Sequence, residues 1–237
     1  MLDIRTRVAS LALLAAVVSS PAAAQNPVVA FPNNYKLILD NPDVAVLRVH
    51  YGPLETVGVH DHSAFATVYV YLNDSGAVRF RHEEDKPFDL ARPPTHAGAF
   101  RVSPGRMERH SVQNLSKIPS DFVRVELKHL PIHSLPEEVR GPAPTPPLVP
   151  GVAVEYNNPR LRVERIVCIS AMPCSVSAEA EPSVLVAVSA APLTLTGLQQ
   201  TLTMDRPVAW LPARASSSVM LPSGTSGQLL RIVLPQN

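Results

Sequence analysis

Two histidines one residue apart, His60 and His62, stand in Gly58-Val59-His60-Asp61-His62, and a third, His110, follows a Pro104-Gly105 turn later in the chain. Side chains alternate faces along a strand, so His60 and His62 project from the same face and Asp61 from the other. If the sheet curls into a barrel, His110 meets them. Three neutral imidazoles facing one pocket can bind a divalent transition metal, and ligand type alone leaves zinc, iron, manganese, nickel and copper open. The plainer alternative is that these histidines line a rim and bond water.

The elements that must hold them read as strands. Val44–Tyr51 is introduced by the turn dipeptide Asn41-Pro42 and ended by Gly52-Pro53. Further strands are expected at Val57–His62, Thr67–Leu72, Ala77–His82, Gly98–Val102, Ser111–Asn114 and Phe122–Leu130. Residues 25–34 read as an irregular lead-in and 83–94 as a charged connection. Many short strands separated by turns predict an all-β sandwich or small barrel. Tyr69 and Tyr71 share a face with Thr67. If that face looks inward, all three wall the pocket, with Asn114 beyond the third histidine.

At the start, Arg5 and Arg7 precede an apolar run from Val8 to Val18 and the small residues Ala22-Ala23-Ala24. This predicts a signal peptide over 1–24, hence export to a periplasmic or extracellular compartment, with no stable membrane insertion after cleavage. Removing it takes two basic and one acidic residue from totals of 21 and 20, leaving 19 of each. With neither a basic block nor a basic stripe, nucleic acid is not an expected partner. The two cysteines, Cys168 and Cys174, can close a small disulfide loop in such a compartment or stay as two buried thiols.

Residues 131–150 contain seven prolines and read as a linker or a surface strap between a unit over 25–130 and a second over 151–237. The second repeats the first. An offset of 117 lays Asn41-Pro42 on Asn158-Pro159, Val46 on Val163 and Val68–Tyr71 on Leu185–Val188, and Phe122–Leu127 falls near Leu229–Leu234. The copies are chemically unequal. All eight histidines precede residue 134, and Ser177, Glu179 and Ser218 or a neighbour stand where His60, His62 and His110 would be.

Gly52-Pro53-Leu54-Glu55-Thr56-Val57-Gly58-Val59-His60-Asp61-His62 and Ser103-Pro104-Gly105-Arg106-Met107-Glu108-Arg109-His110-Ser111-Val112-Gln113-Asn114 resemble the two motifs of the cupin superfamily. The resemblance implies two tandem cupin-type barrels (double-stranded β-helix or jelly roll), the second degenerate. It also implies a metal on His60, His62 and His110, a pocket near Thr67, Tyr69, Tyr71 and Asn114, and a possible homodimer. One departure stands out: Thr67 occupies the place of the usual metal-binding glutamate. Three functions fit: a metal-dependent enzyme of dioxygenase or isomerase type acting on a small molecule, a non-catalytic binder of a sugar or organic acid, and a structural protein with a vestigial pocket.

Overall fold

The computed structural model describes residues 25–132, 134–145 and 147–234. The expected signal peptide and His133 lie outside them. Among the described residues no helix is long and apolar enough to cross a membrane.

The first unit is built from β1 (Tyr35–Asp40), β2 (Val44–Tyr51), β3 (Thr56–His62), β4 (Ala66–Tyr71), β5 (Val78–His82), β6 (Phe88–Arg92), β7 (Phe100–Ser103), β8 (Glu108–Asn114), β9 (Ser120–Leu127) and β10 (Val139–Gly141). All pair antiparallel. One sheet runs β1-β2-β9-β4-β7-β10 and a smaller one β3-β8-β5-β6. The second unit comprises β11 (Gly151–Asn158), β12 (Leu161–Ile169), β13 (Ser175–Val176), β14 (Ser183–Ala187), β15 (Leu193–Leu195), β16 (Gln200–Leu202), β17 (Val208–Leu211), β18 (Ser217–Met220) and β19 (Ser226–Val233). Its sheets, β11-β12-β19-β14-β17 and β13-β18-β15-β16, repeat the first unit strand for strand, apart from β10.

Three apolar clusters follow from this arrangement. The outer faces of the two large sheets pack on each other, Val44, Val46, Val68, Val70, Val123 and Val125 against Leu161, Val163, Val184, Val186, Leu230 and Ile232. Strands buried on both faces need continuous apolar runs, which is why TVYVYL and SVLVA lack a clean polar alternation. Inside the first barrel the cluster is aromatic and roomy, with Tyr35, Tyr51, Tyr69 and Phe122. Inside the second, Leu185, Leu193, Leu195, Leu202, Leu211 and Leu229 fill the space.

Several sequence expectations shift. The lead-in contains a helical turn, Pro27–Ala30, and runs directly into β1, which was not expected. As an edge strand with Leu37 and Ile38 partly exposed and a bulge between Leu37 and Leu39, it has no two-residue rhythm to betray it. The charged stretch 83–94 holds β6, also an edge strand, where charge protects against aberrant pairing. Within the proline-rich segment, β10 adds to β7, and Leu135 is buried. The repeat offset is 117 at β2 and β12 but 116 at β4 and β14: Tyr69 pairs with Arg124, and Leu185 with Arg231. A one-residue slip exchanges the faces of a strand, so Val184 and Val186, not Leu185, match Val68 and Val70. Cys168 and Cys174 form a disulfide.

Candidate metal centre

His60 and His62 project from one face of β3 into the first barrel, both buried. His110 lies within β8, directly opposite His60, and His82 on β5 lies opposite His110 on the other side. A register shift between Val57 and His60 re-aims the histidine pair, a common use of a bulge beside a functional site. The turn before β8 depends on Gly105, at φ 84°, where a Cβ would meet the Ala66 backbone nitrogen at 2.6 Å.

The ring centroids of His60, His62 and His110 are 4.8–5.1 Å apart, and one nitrogen from each lies within 4.8 Å of the others. His60 Nδ1 donates to the Gly58 carbonyl at 2.8 Å, which leaves Nε2 as the lone-pair nitrogen. That Nε2 is 3.1 Å from His62 Nε2. Two nitrogens held about 2.1 Å from a shared ion stand about 3.0–3.4 Å apart, so the spacing fits a ligand pair. Neither ring nitrogen of the buried His110 has a hydrogen-bond partner. Buried polar atoms are nearly always partnered; a metal ion at the centre would satisfy one of these. Among the described residues this is the one cluster of three or more potential metal-binding side chains.

Burial keeps the imidazoles in their ligating form. It lowers His60, drives His62 well below the ordinary range with help from the Arg124 charge, and pushes His110 down to about 3. Neutral in the folded protein, these groups take up protons more readily once unfolded. The unfolded state therefore binds the extra protons between the ordinary value near 6.5 and the folded value near 3, and stability falls as pH drops through that window. Urea unfolding of metal-free protein should show a lower midpoint at pH 4 than at pH 7. The drop should be smaller in a His60→Ala/His62→Ala variant, and an equal drop in both would remove the histidines as its cause.

Groups that the sequence reading missed complete the surroundings. The Tyr35 hydroxyl lies 2.8 Å from His60 Nε2 and 2.8 Å from the Tyr51 hydroxyl, and burial raises both phenols, so they stay protonated. Arg124 is buried in β9; its Nη1 donates to Glu108 at 3.0 Å and to the Tyr69 hydroxyl at 2.9 Å, and its Nε donates to Glu126 at 2.9 Å. Burial alone would raise the Glu108 carboxyl, but Arg124, His110 and Arg101 outweigh it and hold it at about 2. Glu108 is therefore a buried, paired anion. His82 is buried, stacked on Phe88 and bonded to Glu84 and Arg106. A signal for Arg124 was present: an arginine at the inward parity of the apolar run FVRVEL implies a buried polar network.

A narrow cleft opens beside His62 and His110. Tyr69, Tyr71, His62 and His110 are among the residues that line it. Thr67 and Asn114 do not. Thr67 is buried with its hydroxyl turned to the Phe65 carbonyl, and Asn114 donates to the carbonyls of Tyr51, Gly52 and Ile118, tying loops at the end of the barrel. His50 faces outward beside Arg48, both on Asp121, while His96 and His129 are exposed and paired with Asp74 and Asp43.

In the second unit the inward positions of β13 and β18 carry Val176, Ser217 and Val219. Arg231 matches Arg124, but its Nε donates to Ser183 and its charge faces Glu164 and Glu179. The arginine persists while the histidine set does not.

No protein-family model matches the chain, and no curated protein matches it in sequence. Solved structures do. YhaK from Escherichia coli superimposes with a TM-score of 0.57 at 14% identity, covering 86% of this chain and 92% of its own. Bacterial pirin YhhW from Escherichia coli, in complex with nickel(II), gives 0.51 at 14% identity, covering 83% and 84%. A cupin 2 conserved barrel domain protein from Leptotrichia buccalis gives 0.49 at 11%, covering 84% and 88%. The chain shares the fold of YhaK and of bacterial pirin, two tandem antiparallel β-barrels. At such low identities the likeness speaks for the fold alone, and the site has to be read from its own residues. Those residues give a buried three-imidazole centre, without a carboxylate at Thr67, opening on an aromatic cleft.

Proposed function

We propose that this is an exported cupin that holds one divalent transition metal on His60, His62 and His110 and acts as a metal-dependent enzyme on a small molecule bound in the adjoining cleft. The observation that carries the reading is His110: a buried imidazole with both nitrogens unpartnered, facing two further neutral imidazoles. The pirin neighbour is described in complex with nickel(II), which is in keeping with a divalent ion on this fold. Export is supported by the basic-then-apolar start of the chain and by the Cys168–Cys174 disulfide, a bond that persists in oxidising compartments.

Bound there, a divalent metal supplies Lewis acidity toward an oxygen-bearing ligand. The chain supplies the rest. Gly58 fixes the His60 ring through its carbonyl, and the Tyr35 hydroxyl, backed by Tyr51, offers a proton-donating group at the centre. Phe80, Phe122 and Tyr71 exclude water from the cleft and orient an apolar ligand body. Arg124 keeps Glu108 ionised and occupied.

That last point favours a second reading, a binding protein using the same cleft, because it removes the nearest carboxylate from service as a base. Turnover and oxygen uptake by metal-reconstituted protein over a panel of small molecules separates the two. The enzyme reading expects metal-dependent product formation that His110→Ala abolishes. Stoichiometric ligand binding with no product would leave the binder.

A further inference from the structure

Arg101 lies on β7 in the wall of the cleft, and its position carries more than the barrel requires. Its side chain is 8% exposed, and its guanidinium stacks 3.8 Å above the Tyr69 ring. Nη1 donates to Glu138 at 2.8 Å, whereas Nε is buried and has no hydrogen-bond partner. At the matching place on the second unit's ladder stands Ala209: Tyr69 pairs with Arg101 as Leu185 pairs with Ala209. The fold builds the same strand without an arginine. A buried, half-used guanidinium in a cleft wall is therefore explained better by a ligand than by architecture.

The chemistry of that ligand follows from the charges around it. The carboxylates near the cleft are committed: Glu108 to Arg124, Glu126 to Arg124, and Glu138 to Arg92 and Arg101. Arg101 leaves its buried Nε without a partner, and the Nε edge of a guanidinium is one that takes a carboxylate side-on. Beside its tyrosines the lining carries the apolar side chains Val78, Phe80, Leu90 and Phe122. A single unpartnered arginine edge compensates one negative charge.

We propose that the cleft binds a small organic acid with an apolar body, its carboxylate seated on Arg101 and its body directed along the aromatic wall toward the three histidines. This assigns a substrate class to the site of the proposed function and rests on that reading for its catalytic meaning, though not for binding itself.

Calorimetric titration of metal-free protein with benzoate, and with benzamide as its uncharged isostere, tests the assignment. Benzoate should bind at least tenfold more tightly than benzamide, and Arg101→Gln should erase the preference. If Arg101→Gln fails to fold, Glu138→Gln decides: freeing the guanidinium from its competing carboxylate should tighten benzoate binding severalfold. Equal affinity for the two probes, no binding of either, a preference that survives Arg101→Gln, or an unchanged affinity in Glu138→Gln would overturn the proposal. Zinc titration of the same preparation keeps the two claims apart. Zinc bound without benzoate sinks only the organic-acid assignment, and benzoate bound without zinc sinks only the metal centre.

Discussion

Replacing His60 and His62 together by alanine abolishes specific divalent-metal binding and, with it, the stabilisation that metal gives to the fold. A ligand that binds only the native state stabilises it by about 4 kcal/mol at a thousandfold excess over Kd. For a chain of this size each kcal/mol is worth about 2–4 °C in melting temperature. Zinc at that excess should therefore raise the wild-type melting temperature by about 8–16 °C and leave the double variant unmoved. The variant should still fold, because the outer sheets that join the two units contain neither histidine. Its cost is local: Tyr35 loses its imidazole partner, and space opens beside Phe31. A metal-induced shift of similar size in both proteins would place the ion elsewhere.

The second large effect belongs to Arg124. Alanine there leaves Glu108 and Glu126 buried without their shared cation, and breaking a buried ion pair from one side costs about 3–5 kcal/mol. The consequence for pH reverses the wild-type behaviour. Glu108 is now held at about 2 and is ionised throughout the neutral range. Without Arg124, burial dominates and raises its carboxyl above the unfolded value, so the variant is steadier in mild acid and loses stability as pH rises through the new folded value. Chemical denaturation of Arg124→Ala at pH 5 and pH 8 reads this directly, and adding Glu108→Gln should recover part of the loss at pH 8. A midpoint within experimental error of wild type at both values would contradict the buried network.

The site was half legible in the chain. His60 and His62 could be placed together because a strand has a period of two, and His110 because a Pro-Gly turn precedes it. Tyr35 could not: its strand is an edge with a bulge, so the pattern that marks other strands is absent. The pairings of Arg124 with Glu108 and of Arg101 with Glu138 were not legible, because each joins residues far apart in the chain that only the folded sheets bring together. The repeat was visible through β2 and its counterpart, but the missing residue before β14 inverted the faces of the next strand, which only the cross-strand register reveals. Thr67 shows the opposite failure. Its inward parity was plain, yet its hydroxyl is satisfied by the neighbouring Phe65 carbonyl and contributes nothing to the cleft.

The claim that the three histidines form a metal centre is tested most directly by X-ray absorption on protein loaded with one equivalent of zinc. The account predicts three imidazole nitrogens at about 2.0–2.1 Å, with the remaining coordination supplied by oxygen. A spectrum showing fewer than three imidazoles, or one unchanged by His60→Ala/His62→Ala, would contradict it.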